Sequence, residues 1–167
     1  MRKNYLLIGT ALLLSLLIYV LYRTERTVVN EILLTIISSG EFHALRNHIT
    51  SALPLNDHII YSLPEGLWVF SITITSRLLF IKVKGTEFNL IFIPLLFSIG
   101  LEIFQLLQFT NGRFDFWDIG ASVFFWIIAR YAVLDNQERQ NIFDPVNFRS
   151  VLCILSYIIV YLAHVWE

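Results

Sequence analysis

Charge is scarce in this chain of 167 residues: 15% are Asp, Glu, Lys or Arg, and the formal net charge is −1. Soluble domains carry about 25% charged residues. A domain this small has too much surface to cover with so few. The scarcity argues against a soluble globule and against a disordered chain, and the near-zero net charge offers no field for nucleic acid. Cysteine is nearly missing too. Cys153 stands alone in an apolar run, which rules out an intramolecular disulfide and a disulfide scaffold. Also absent are the P-loop and dinucleotide fingerprints, the G-x-S-x-G elbow and H-E-x-x-H; the four His residues give a zinc site weak support.

Apolar and aromatic side chains fill the space. They make up 56% and 15% of the chain, and the mean hydropathy is +0.66. A helix needs about 20 mostly apolar residues to cross the hydrocarbon. Five segments qualify: 5–22, 59–81, 88–109, 116–134 and 150–166. The expected fold is an all-α, polytopic transmembrane helical bundle of about five spans, forming a single integral membrane domain. The first span lacks an A-x-A-like site after it and reads as an uncleaved anchor.

Basic residues set direction. Arg2, Lys3, Arg77, Lys82, Lys84, Arg130, Arg139 and Arg149 fall on the N-terminal side; Arg23, Arg26, Arg46 and Arg113 fall on the other. Eight against four accounts for all twelve, and the positive-inside bias puts the N-terminus in the cytoplasm and the C-terminus outside. Residues 23–58 then form the one long loop, on the outer side. Val29, Ile32, Leu33, Ile36 and Ile37 recur there at helical spacing, as in an interfacial helix or a short helix packed on the bundle. Residues 135–149 form a polar cytoplasmic loop interrupted by Pro145.

A few polar residues stand out against this background. Glu102 lies about 12 Å below the outer end of the third span, by the 1.5 Å rise per residue. Ionisable groups at such depth are costly and face a bundle interior or a wet cavity. Gln105 and Gln108 continue a polar stripe outward, which equally suits interhelical hydrogen bonding. In the turn that follows, Asn111-Gly112 signals a reversal and Asp115 suits an N-cap. Asp118 falls in the first helical turn, and Arg113 is the one basic residue nearby. Ser62-Leu63-Pro64-Glu65 has capping-box spacing, which accounts for Glu65 without chemistry. Glu65 also falls near the same boundary as the aspartates. The candidate ligand-binding set is Glu102, Gln105, Arg113, Asp115, Asp118 and Glu65; Glu102, Asp115 and Asp118 are the catalytic candidates. No metal site or cofactor is assigned.

Glu102-x-x-Gln105, then Gly112-Arg113-Phe114-Asp115-x-x-Asp118 and Gly120, resembles the signature of the VanZ-like membrane proteins. The match covers about residues 99–128. Upstream, Leu55-Asn56-Asp57-His58-Ile59-Ile60-Tyr61 is similar to a D-K-x-x-H-x-x-x-Y/F segment of that family. It departs in spacing, since Asp57 and His58 are adjacent, and Arg113 is closer to Asp115 than in many members. The resemblance implies a small bacterial envelope protein linked to low-level resistance to the glycopeptide teicoplanin, and it supplies no reaction. Three functions compete. One is binding of a lipid-linked glycan or glycolipid at the outer cluster. Another is an enzyme acting on a lipid head group or polyprenyl-linked sugar through paired carboxylates, as acid and base or by holding a divalent cation. The third is a transporter subunit, with Glu102 as proton relay. The expected partners are the lipid bilayer, such a glycolipid and, as an option, further copies of the chain, with no nucleic acid.

Overall fold

The computed structural model describes residues 2–23, 34, 38–109, 113–131 and 138–165. Among them are six α-helices: α1 (Arg2–Tyr22), α2 (Ser39–Ala52), α3 (Asp57–Ser76), α4 (Ile93–Leu106), α5 (Phe116–Tyr131) and α6 (Phe148–Val165). Between α3 and α4 come β1 (Leu79–Val83), β2 (Thr86–Asn89) and a 3-10 turn (Leu90–Phe92); β3 (Gln140–Asn141) precedes α6.

Asn56 decides where the central helix begins. Its Oδ1 accepts from the His58 N–H at 3.1 Å, which satisfies one of the orphan donors of a first turn. The helix α3 therefore starts five residues before the Ser62-Pro64-Glu65 group, and the expected capping box there is corrected: Ser62, Pro64 and Glu65 all lie inside α3. From Ser62 to Ser76 this helix is buried at most positions, and α1, α4, α5 and α6 all pack on it, α5 and α1 most extensively. Ile8, Ala11, Leu67, Phe70, Ile74 and Ala129 form one core cluster, joining α1, α3 and α5. Trp68, Val69 and Ile72 form a second, with Phe97, Trp126 and Tyr157 against them. Gly66 lets α3 and α5 approach closely, because a Cβ there would collide with the Phe125 ring.

A three-stranded sheet of order β2-β1-β3 covers one end of the bundle. β1 pairs with β2 in antiparallel register, Val83 opposite Thr86. The two residues between them, Lys84 at φ 49 and Gly85 at φ 87, supply the left-handed backbone that a tight hairpin demands. β3 pairs with β1 in parallel, Leu79 with Gln140 and Phe80 with Asn141. Leu79, Leu90, Ile142 and Cys153 are buried beneath the sheet.

The sheet corrects the all-α expectation. The segment 59–81 ends its helix at Ser76 and enters β1, and 88–109 opens on β2 and the 3-10 turn. Leu79-Phe-Ile-Lys-Val is apolar enough to read as helix continuing, and a short apolar run carries no period that separates the two. The remaining segments correspond to α1, α5 and α6; residues 132–134 and 166 lie outside the described ones. Among the described residues one helix is long and apolar enough to cross a membrane, over Asn4–Tyr22. Leu90–Leu106 and Phe148–Ile158 are apolar but shorter. The long loop contains α2, a helix the sequence pattern did not isolate, and the amphipathic stretch at 29–37 lies outside the described residues except Leu34. α2 is tied to the end of α1 through Arg46, which donates to the carbonyls of Leu21, Tyr22 and Arg23 at 2.9, 3.3 and 2.7 Å. Those are carbonyls a helix end otherwise leaves unpaired.

Candidate functional site

Four carboxylates meet at the end of the bundle opposite the sheet. The first, Glu102 on α4, is 4% exposed. Its Oε2 accepts from the Asp115 backbone N–H at 3.0 Å, which stitches the end of α4 to the start of α5. Asp115 in turn caps α5: its Oδ1 accepts from the Trp117 N–H at 2.9 Å, and its carbonyl accepts from the Asp118 N–H at 3.2 Å. The capping role read from the sequence is therefore observed.

Glu65 on α3 holds a structural position different from the one expected. Its Oε2 accepts from Trp68 Nε1 at 2.6 Å and its Oε1 from Ser98 Oγ at 2.9 Å. Ser98 Oγ is also 2.7 Å from Ser122 Oγ on α5. Ser98 and Ser122 are fully buried and Glu65 is half-buried, so α3, α4 and α5 are joined by a chain of polar contacts whose inner links are sealed from solvent. Hydrogen bonds to a charged group are worth about 1.5–3 kcal/mol each, and leaving such a group unpaired costs more.

Asp118 is the fourth acid. Glu65, Asp115 and Asp118 all act electrostatically on Glu102, and Arg23 acts on Asp118. Buried Ser62 stands beside Asp118 without closing a well-formed hydrogen bond to it, and Asp118 Oδ1 is a buried atom with no partner. Arg23 donates through Nη2 to the Tyr61 carbonyl at 3.0 Å, and its guanidinium lies over the rings of Tyr19 and Tyr61 at 4.9 and 5.5 Å. Arg23 Nε is likewise buried and unpartnered. His58 stacks on Trp117, with ring centroids 4.8 Å apart, at the rim of the same end.

Of the residues singled out by sequence, the structure gathers Glu65, Glu102, Asp115 and Asp118. Arg113 is exposed and pairs with none of these acids among the described residues. Gln105 is half-buried, and its side chain enters no hydrogen bond among them. Arg23, Ser62, Trp68, Ser98 and Ser122 were missed; each is an ordinary residue by local pattern and gains its place from helix packing. The sole local hint was Arg23 following Tyr19 by one helical turn. Among the described residues, no three of the His, Cys, Asp and Glu side chains are grouped to hold a metal ion. No family model, no curated protein and no solved structure matches the chain.

Chemically, the arrangement combines acceptors with one positioned cation. A ligand carrying hydroxyl donors and an anionic group would match both: hydroxyls for Asp118 Oδ1, an oxyanion for the Arg23 guanidinium.

Proposed function

We propose that this chain is a VanZ-like integral membrane protein of the bacterial envelope that binds a lipid-linked glycan or glycolipid at its carboxylate end and alters susceptibility to teicoplanin. One observation carries the reading. Asp118 Oδ1 and Arg23 Nε are buried, unpartnered and electrostatically coupled, beside the buried Glu102. Each such group costs about 1–3 kcal/mol to leave unpaired, and a phosphosugar supplies the complement of both. The Glu102, Asp115 and Asp118 of the sequence resemblance are among the residues assembled there.

The exposed apolar surface supports the multi-pass placement that this reading needs. Large apolar side chains stand exposed along α4, α5 and α6: Leu96, Ile103, Phe104, Phe124, Ile127, Leu155 and Ile158. Lipid would cover such a belt, which a soluble monomer does not tolerate. A second reading, hydrolysis or transfer at a lipid head group, is favoured by the unlike surroundings of two acids. Glu102 is buried and accepts a backbone N–H, whereas Asp118 lacks a partner at one oxygen. Unlike surroundings are what divide an acid from a base.

The test is teicoplanin susceptibility of a sensitive Gram-positive host carrying wild type or Glu102→Gln at matched membrane abundance. Protection by wild type that Glu102→Gln abolishes is the expected result. No protection by well-expressed wild type overturns the proposal, and envelope lipid analysis of the same strains then tests the enzymatic reading.

A further inference from the structure

Under the sheet end lies a cavity of about 330 Å³, lined by Arg77, Leu78, Asn89, Ile91, Phe92, Arg130 and Arg139. Its volume is at the lower end of the range of small-molecule sites. Three arginines in one concave lining are costly to bring together unless an anion joins them. Among the described residues no carboxylate pairs with any of the three, although Glu138 adjoins Arg139 in sequence and Glu87 stands across the hairpin from Lys82.

Two of the arginines are held in place. Arg130 lies with its guanidinium carbon 5.1 Å from the Phe92 ring, 5.1 Å from Trp126 and 5.2 Å from Tyr131. Trp126 is itself fixed by donating from Nε1 to the Ile91 carbonyl at 2.8 Å. Aromatic faces engage the flat side of a guanidinium and leave its N–H edge free for a bidentate acceptor. Arg77 is anchored at the end of α3, with Nη1 3.5 Å from the Ala129 carbonyl. Asn89, which also lines the cavity, accepts through Oδ1 from the Ile91 N–H at 3.1 Å, and its side-chain NH2 enters no hydrogen bond among the described residues. Leu78, Ile91 and Phe92 give the lining an apolar flank, and the exposed Phe88 and Ile93 neighbour it along the chain.

We propose that this cavity is a binding site for a phosphate group, held by Arg77 and Arg130 with Arg139 closing the open side. Forked arginine donors match phosphate oxygens in pairs. The group reaches the cavity either as the head group of an anionic phospholipid, whose chains would lie along the apolar flank, or as a free phosphate ester. Basic pockets between helices at a membrane boundary take lipid phosphates in this way. The site is separate from the carboxylate end, twelve residues along the chain from Glu65, about 18 Å at the helical rise, and does not depend on what binds there.

The experiment uses the full-length protein in a neutral detergent, with tryptophan fluorescence, to which Trp126 contributes, and thermal shift as readouts. The probes are inorganic phosphate, dioctanoyl phosphatidylglycerol and, for comparison, dioctanoyl phosphatidylcholine. Saturable binding at one site per chain, weakened at least tenfold in Arg77→Gln/Arg130→Gln, is expected, as is weakening by added salt. Arg130→Lys keeps the charge but not the fork and is expected to fall between the two. Binding of phosphatidylglycerol alone assigns the lipid head group, and binding of inorganic phosphate as well assigns the free ester. The circular dichroism of each variant shows that it is folded; Arg130→Lys carries the test if the double variant is not. No saturable binding of either anion to wild type, or binding undiminished in folded variants, overturns the proposal. Equal binding of phosphatidylcholine overturns it as well, since the site would then not be selecting an anion.

Discussion

The two halves of α3 place charge in opposite ways. At the Glu65 end, acids are drawn into the helix bundle: Glu65 and Glu102 are satisfied by an indole N–H, a serine hydroxyl and a backbone N–H, and Asp118 keeps one oxygen unpartnered near the Arg23 charge. At the Arg77 end, cations ring a cavity and rest on aromatic faces, with no carboxylate answering them among the described residues. An acid that is already satisfied in the fold contributes to helix packing. A cation left without a counter-charge is available to something outside the fold. Two sites can therefore share one helix without sharing a ligand.

The comparison can be broken most sharply at Gly66. Gly66→Ala drives a methyl into the Phe125 ring, and overpacking of this kind costs about 1–3 kcal/mol. A drop of several degrees in the detergent melting temperature is expected, with partial recovery in Gly66→Ala/Phe125→Leu. Next is Ser98→Ala, which strips a hydroxyl from both Glu65 and Ser122; a loss of about 1–3 kcal/mol is expected in denaturant titration, because the half-buried Glu65 and the fully buried Ser122 each lose a partner. Arg130→Gln removes only cation–π contact at a half-exposed site, so a stability loss of about 0.5–1 kcal/mol is expected. Asp118→Asn sharpens the contrast by sign. It removes one negative charge from a cluster of four and breaks no described side-chain hydrogen bond, so the melting temperature is expected to hold or rise while teicoplanin protection falls. Smallest is Glu87→Ala on the exposed hairpin, where loss of the cross-strand partner of Lys82 is expected to change stability by under about 0.5 kcal/mol.

What was legible in the sequence follows the range of each signal. Glu102, Asp115 and Asp118 stand out because an acid in an apolar run is anomalous whatever the fold. Glu65 was discounted because Ser62, Pro64 and Glu65 satisfy a local capping rule; Asn56 satisfies the same rule six residues earlier, and one helix needs one cap. Arg113 was favoured by adjacency in sequence, whereas Arg23 reaches the acids because α1 ends beside α3. Nothing short of the packed bundle reveals that. The strands were hidden for a different reason. Leu79-Phe-Ile-Lys-Val is as apolar as a helix, and only Lys84-Gly85, with its left-handed backbone, marks a hairpin. The helical character of most of the chain was legible because it rests on long apolar runs.

The parallel pairing of β1 with β3 also orders events in time. The β2 partner of β1 follows two residues behind it in the chain, but the other partner of β1 exists only once residues 140 and 141 have been made. Bringing segments so far apart in sequence together carries a loop-closure cost that local helix formation does not. The edge that anchors Leu79 and Phe80 thus stays open while α4 and α5 are synthesised, and the last sixth of the chain, from Gln140 on, acts as the latch that completes the sheet end.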